Sequence, residues 1–213
     1  MPSRYLALWL LVAISVPFAF GVVQVLSASR EPFYLFGDEA RAAVAVRRAL
    51  ELLQFTGPYS RFGWDHPGPL YYYFIAPGTL LLPGGLGVYL GALLSNWLFA
   101  AAAVMVAVRG GGPRTAIPLT GVLLLVSLVL GGRILNNPWN PAIVILPLLA
   151  AMIATAVPPA LPAVCLMVVG CSLALQAHVG TVSIVATVGM GLFAVERDRR
   201  LCTVIVTPRS RRC

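Results

Sequence analysis

Residues 5–27 and 86–108 each run for 23 positions without a charged side chain. A bilayer core is crossed by about 20 apolar helical residues, with ~17–25 the usual range, so either run is long enough to span. Shorter apolar runs at 116–132, 141–157, 160–177 and 180–195 sit near or just under that lower bound and would cross upright or in a thinned bilayer. The chain is 59% hydrophobic and 10% charged, whereas charged residues make up about a quarter of a soluble domain. The expected fold is all-α, a polytopic membrane helix bundle of six spans.

Residues 69–83 are apolar too, but short and interrupted by Pro69, Pro77, Gly78 and Pro83. The arginines decide how to place them. If this segment does not cross, Arg4, Arg109, Arg114 and the six arginines beyond residue 196 fall on one side, nine of the fifteen. That agrees with the excess of basic residues found on cytoplasmic loops. The expectation is an interfacial or re-entrant element, both termini cytoplasmic, and a long extracytoplasmic loop over 28–85. The apolar run at 5–27 exceeds the ~7–15 residues of a cleaved signal core, so it reads as an uncleaved signal anchor. The net charge of +8 comes from arginines flanking apolar runs, where they act as topological anchors, and does not indicate a nucleic-acid partner. The four cysteines show no metal-ligand spacing. Residues 196–213 form a basic tail with neither spanning length nor helical pattern, expected to be disordered.

Only seven carboxylates occur in the chain, and five of them, Glu31, Asp38, Glu39, Glu51 and Asp65, lie between residues 31 and 65 with one of the two histidines, His66. Long loops are commonly functional. Residues 38–55 have helical character, since Ala42, Val46, Ala49 and Leu53 share one face while Arg47, Glu51 and Gln54 line another. This predicts an amphipathic surface helix ended by Gly57-Pro58. Asp38 and Glu39 at its start can act as a general base or hold a divalent cation against a phosphate; the plainer alternative makes Asp38 the N-cap and Glu39 a favourable charge at the helix start. Arg61 can grip a phosphate through its guanidinium fork, or pair with Asp65 or a lipid headgroup. Asp65 and His66, adjacent on an extended chain, point to opposite sides and do not make a metal site alone. Tyr71, Tyr72, Tyr73, Phe74 and Trp64 read either as an interfacial aromatic belt or as a platform for a sugar ring, and Trp139 between two asparagines carries the same two readings. His178 and Gln176, at the outer end of the fifth span, can reach the loop or stay solvated there.

A signal anchor, then Gly37-Asp38-Glu39 opening a surface helix, then Ser60-Arg61-Phe62-Gly63-Trp64-Asp65-His66-Pro67-Gly68-Pro69-Leu70-Tyr71, then a second span: this order resembles the N-terminal part of the type C integral-membrane glycosyltransferases, in particular their bacterial mannosyl- and aminoarabinosyl-transferase-like members. Asp38 and Glu39 match the family's acidic position after the first span. His66-Pro67-Gly68-Pro69-Leu70-Tyr71 matches its Pro-Pro-Leu-aromatic stretch with a glycine inserted. Trp139-Asn140-Pro141 and Gln176-Ala177-His178-Val179-Gly180 match more faintly. The resemblance implies an inverting sugar transfer from a polyprenyl-phosphate donor at the outer membrane face, with Asp38 or Glu39 as base or cation ligand, Arg61 on phosphate and His66 positioning. Family members run to several hundred residues, so the resemblance leaves open a fragment, a truncated gene product, or a half that needs a protein partner. The alternative is a non-catalytic integral membrane protein that binds lipid or scaffolds a partner through the same loop. A transporter is poorly supported, because no charged residue sits mid-span.

Overall fold

The computed structural model describes residues 3–28, 34–60 and 62–190. Among these the chain is mostly helical, with one two-stranded hairpin. Helix α1 covers Ser3–Ala28 and helix α4 covers Gly84–Leu135. Both are long and apolar enough to cross a membrane.

Helix α4 is not one rod. Gly112 adopts φ 66° and ψ −171°, a conformation open mainly to glycine. Asn96 Nδ2 donates to the Leu135 carbonyl at 2.8 Å, although 39 residues of continuous helix would part them by about 58 Å. The chain therefore reverses at Gly112, inside the glycine run 110–112, and the two arms of α4 lie antiparallel. Helix α1 packs on both. Trp97 Nε1 donates to Ser15 Oγ at 2.9 Å, a Cβ on Gly21 would come within 2.7 Å of Leu93 Cδ1, and Gly132 lies against the Gln24 side chain.

Helix α3 covers Leu70–Leu81. At twelve residues it is about 18 Å long and cannot cross a bilayer core. Glycines seat it on the first arm of α4. A Cβ on Gly91 would stand 2.8 Å from the Ile75 carbonyl carbon, and one on Gly87 would stand 2.7 Å from Thr79 Cα. Gly87 and Gly91 are four apart on one helical face, the spacing that lets two backbones approach in an apolar medium. Helices α5 (Asn140–Ile143), α6 (Ile145–Thr155) and α7 (Leu161–Ala177) follow, then a helical stretch over Val179–Met190. Gly170 of α7 fits against the Pro147 carbonyl of α6. The core runs through Ile14, Leu93, Leu123, Leu135 and Leu173, all fully buried. The perimeter is also apolar: Phe20 is 66% exposed and Val129 78%.

The segment between α1 and α3 departs from its expected form. Helix α2 covers Gly37–Leu50, ending five residues before position 55. Leu52 takes φ 59°, which turns the chain out of the helix. Residues Thr56–Tyr59 (β1) and Asp65–Pro67 (β2) then pair antiparallel, a hairpin not expected from the sequence. Thr56 and Tyr59 are strand formers. The loop closes through Ser60 N to the Trp64 carbonyl (2.7 Å) and Gly63 N to the Ser60 carbonyl (3.1 Å). Glu31, Arg61, the end of the sixth expected span and the tail lie outside the described residues.

Candidate functional site

Three polar pieces far apart in sequence meet at one end of the bundle: α2 with its hairpin, the 136–140 turn after α4, and the end of α7. Tyr71 donates its hydroxyl to the Pro138 carbonyl. Asn140 Nδ2 donates to the Ala177 carbonyl at 3.1 Å, closing the 136–140 turn onto α7. Gln176 Oε1 accepts from Leu70 N at 3.0 Å, while its Nε2 donates to Ser172 Oγ at 2.9 Å. Gln176 thus caps the first turn of α3 from another helix.

Two carboxylates at the start of α2 take different roles. Phe36 is the N-cap and no side-chain hydrogen bond caps the helix, so Asp38 is not the N-cap. Gly37, at φ 54°, lets the helix begin one residue earlier and puts Asp38 and Glu39 in its first turn. Glu39 hydrogen-bonds with the Tyr89 hydroxyl of α4. Asp38 is exposed and lines a narrow cleft of about 20 Å³ with Arg41, Tyr59, Tyr71, Tyr72 and Asn140. This cleft shares Arg41, Tyr59 and Tyr72 with a larger cavity of about 420 Å³, lined also by Arg48, Gln54 and Asp65. The larger space is within the range of small-molecule sites.

Arg41 and Arg48 were not singled out in the sequence, where a basic helix face reads as solvated surface. They lie seven residues apart, two turns of α2, and so project on one side toward the hairpin. Arg41 stacks over the Tyr59 ring at 5.1 Å, a cation–π contact that holds its guanidinium at the cavity wall. Tyr72 lies within the field of both Asp65 and Asp38. Burial, with these two carboxylates adding, pushes its hydroxyl well above the ordinary phenol range, so it stays a neutral donor between them.

The other expected site residues divide. Asp65 and His66 do point apart, the first exposed toward the cavity and the second buried. His66 packs edge-on to Trp64 at 4.8 Å and faces His178 at 6.2 Å between ring centroids. Burial and the neighbouring His178 lower its pKa, against a smaller opposite pull from Asp65. Its Nδ1 has no hydrogen-bond partner among the described residues. His66 and His178 therefore join hairpin to α7, away from the Asp38 cleft. Tyr71 is 1% exposed, which leaves no ring face for a sugar, and it positions Pro138 instead. Trp139 is 47% exposed, and its backbone N–H donates to Asn137 Oδ1 at 2.8 Å, which fixes the turn that carries the ring. Among the described residues no cluster of three His, Cys, Asp or Glu could hold a metal.

Fold and site together define a helical protein with two helices of membrane-crossing length and an acidic and basic cleft gathered at one end. The chain matches no protein-family model, no curated protein and no solved structure.

Proposed function

We propose that this chain is a multi-pass membrane glycosyltransferase of the polyprenyl-phosphate-dependent kind, or a partial form of one, with its cleft on the outer face. Asp38 takes the proton from an acceptor hydroxyl. The acceptor oxygen then attacks the anomeric carbon, and the bond from that carbon to the polyprenyl-phosphate oxygen breaks with inversion. Arg41 and Arg48 receive the charge on the departing phosphate, as guanidinium forks do well. Tyr72 donates to the sugar phosphate, and Trp139 offers a stacking face at the rim. In a variant of this scheme Asp38 would help hold a divalent cation that neutralises phosphate charge, and EDTA sensitivity would separate that role from base catalysis.

One observation carries the reading: Asp38, which caps no helix, lines a cleft with Arg41, and that cleft shares Arg41, Tyr59 and Tyr72 with a cavity that also holds Arg48 and Asp65 at the end of an apolar bundle. A second reading, a non-catalytic protein that binds a lipid phosphate in the larger cavity beside Arg41 and Arg48, has its own support, since the cleft at Asp38 has room for about one water molecule and not for an acceptor sugar. The test is labelling of the full chain in membranes with a photoactivatable polyprenyl-phosphate, followed by sugar transfer from the matching donor. Label confined to residues 38–73 and transfer abolished by Asp38→Asn support the enzyme. Label without transfer supports the second reading. No label in that region refutes both.

A further inference from the structure

The opposite end of the bundle carries a second basic site that the sugar chemistry does not use. We propose that Arg4 and Arg109 hold the phosphate of an anionic diacyl phospholipid from the inner leaflet. Between α1 and the first arm of α4 lies a cavity of about 570 Å³, with both arginines and Leu8, Leu11 and Met105 in its wall and no acidic side chain there among the described residues. Arg4 is braced over the Tyr5 ring at 5.1 Å. Arg109 and Met105 also border a second cavity of about 330 Å³ between α4 and α7, where Phe99, Cys165 and Leu166 make an apolar wall. Two apolar grooves thus straddle one helix and meet at the Arg109 guanidinium, with Arg4 beside it in the wall of the first. That is the shape of a lipid with two chains and one phosphate.

The described carboxylates, Asp38, Glu39, Glu51 and Asp65, all belong to α2 and the hairpin region at the far end. The second arm of α4, residues 113–135, puts about 34 Å between the two ends. Neither arginine is therefore neutralised by them. A free phosphate would satisfy the charge but leave both grooves bare, so the occupant is lipid. Basic pockets between helices on the cytoplasmic side recognise anionic headgroups in this way. The inference rests on the membrane placement and not on the sugar transfer.

The test uses the purified full chain and counts bound phosphatidylglycerol against phosphatidylcholine by native mass spectrometry, with glycerol 3-phosphate as the soluble arm. Phosphatidylglycerol should be retained preferentially, and its affinity should fall about fivefold for each of Arg4→Gln and Arg109→Gln. Arg114→Gln, outside both cavities, should leave it unchanged. A phosphatidylglycerol with a photoactivatable acyl chain should label the wild-type chain around Cys165 and Leu166, a readout that needs no variant to fold. Equal retention of the two lipids, equal loss in Arg114→Gln, competition by glycerol 3-phosphate, or label spread evenly around the perimeter would each overturn it. Preferential retention alongside failed polyprenyl-phosphate labelling would sink the glycosyltransferase reading alone.

Discussion

Gly68 is the residue that separates this chain's Pro67-Gly68-Pro69 from a plain Pro-Pro pair, and its replacement by alanine tests how the site is assembled. It has φ 80°, where a Cβ costs about 1–2 kcal/mol. A Cβ there would also run into the Gln176 amide oxygen, the acceptor for Leu70 N. Gln176 must then withdraw and leave a part-buried N–H unpaired, worth about 1–3 kcal/mol. The stiffer unfolded chain returns about 0.4–1 kcal/mol. Gly68→Ala should thus cost about 1–4.6 kcal/mol net. Thermal unfolding of detergent-solubilised protein should show it as a fall of the midpoint by about 2–18 °C, at ~2–4 °C per kcal/mol for a chain of this size. Gln176→Ala alone already loses the Leu70 hydrogen bond, so adding Gly68→Ala to it should cost only the backbone strain. The double variant should be more stable than the sum of singles by about 1 kcal/mol or more. Strict additivity, or a Gly68→Ala effect under about 0.5 kcal/mol, would refute the placement of Gln176 over the Pro-Gly-Pro turn.

Gly91→Ala forces α3 away from α4 against backbone, so a loss of about 1–3 kcal/mol is expected in the same melt, with Gly121→Ala, where a Cβ meets nothing, neutral or stabilising by up to about 1 kcal/mol. Tyr71→Phe leaves the buried Pro138 carbonyl unpaired and should cost about 1–3 kcal/mol in urea titration while retaining the fold by circular dichroism. His66 binds its proton less readily folded than unfolded, so the unfolded chain takes up more protons below pH about 6.5 and stability falls as pH drops through that point. Melting midpoints at pH 7.5, 6.5 and 5.5 should decline in that order, and His66→Gln should flatten the decline.

The sequence exposed the cleft's location through scarcity: with seven carboxylates in 213 residues, five gathered over 31–65 stand out whatever the fold. It did not separate Asp38 from Glu39, because what tells them apart lies in the folded neighbourhood: Glu39 meets Tyr89 of α4, fifty residues on, while Asp38 lines the narrow cleft. Arg41 and Arg48 hid for a related reason. On a helix that also carries Arg47, only the hairpin packed alongside decides which arginines face a cavity, and the hairpin itself is seven strand residues with no alternating pattern long enough to read. Pro77 and Gly78 interrupt the apolar pattern over 69–83, yet the segment forms the helix Leu70–Leu81 and the same glycine is what seats it on α4.

Position in sequence and position in the site are linked through the helix ends. The 136–140 turn and the end of α7 lie beside α2 only because Gly112 folds α4 back, bringing Leu135 beside Asn96, and because α6 and α7 run down and up once more. Each polar piece then contributes something the others lack. Helix α2 supplies charge, the 136–140 turn supplies Pro138 and the Asn140 side chain, and α7 supplies the Gln176 amide that fixes where α3 begins. A change at Gln176 should therefore disturb Tyr71 and Tyr72, the next two residues in the same first turn of α3, and through Tyr72 the wall shared by both cavities. If Gln176→Ala altered stability but left polyprenyl-phosphate labelling of residues 38–73 untouched, the coupling between helix packing and the cleft would fail even with every static contact in place.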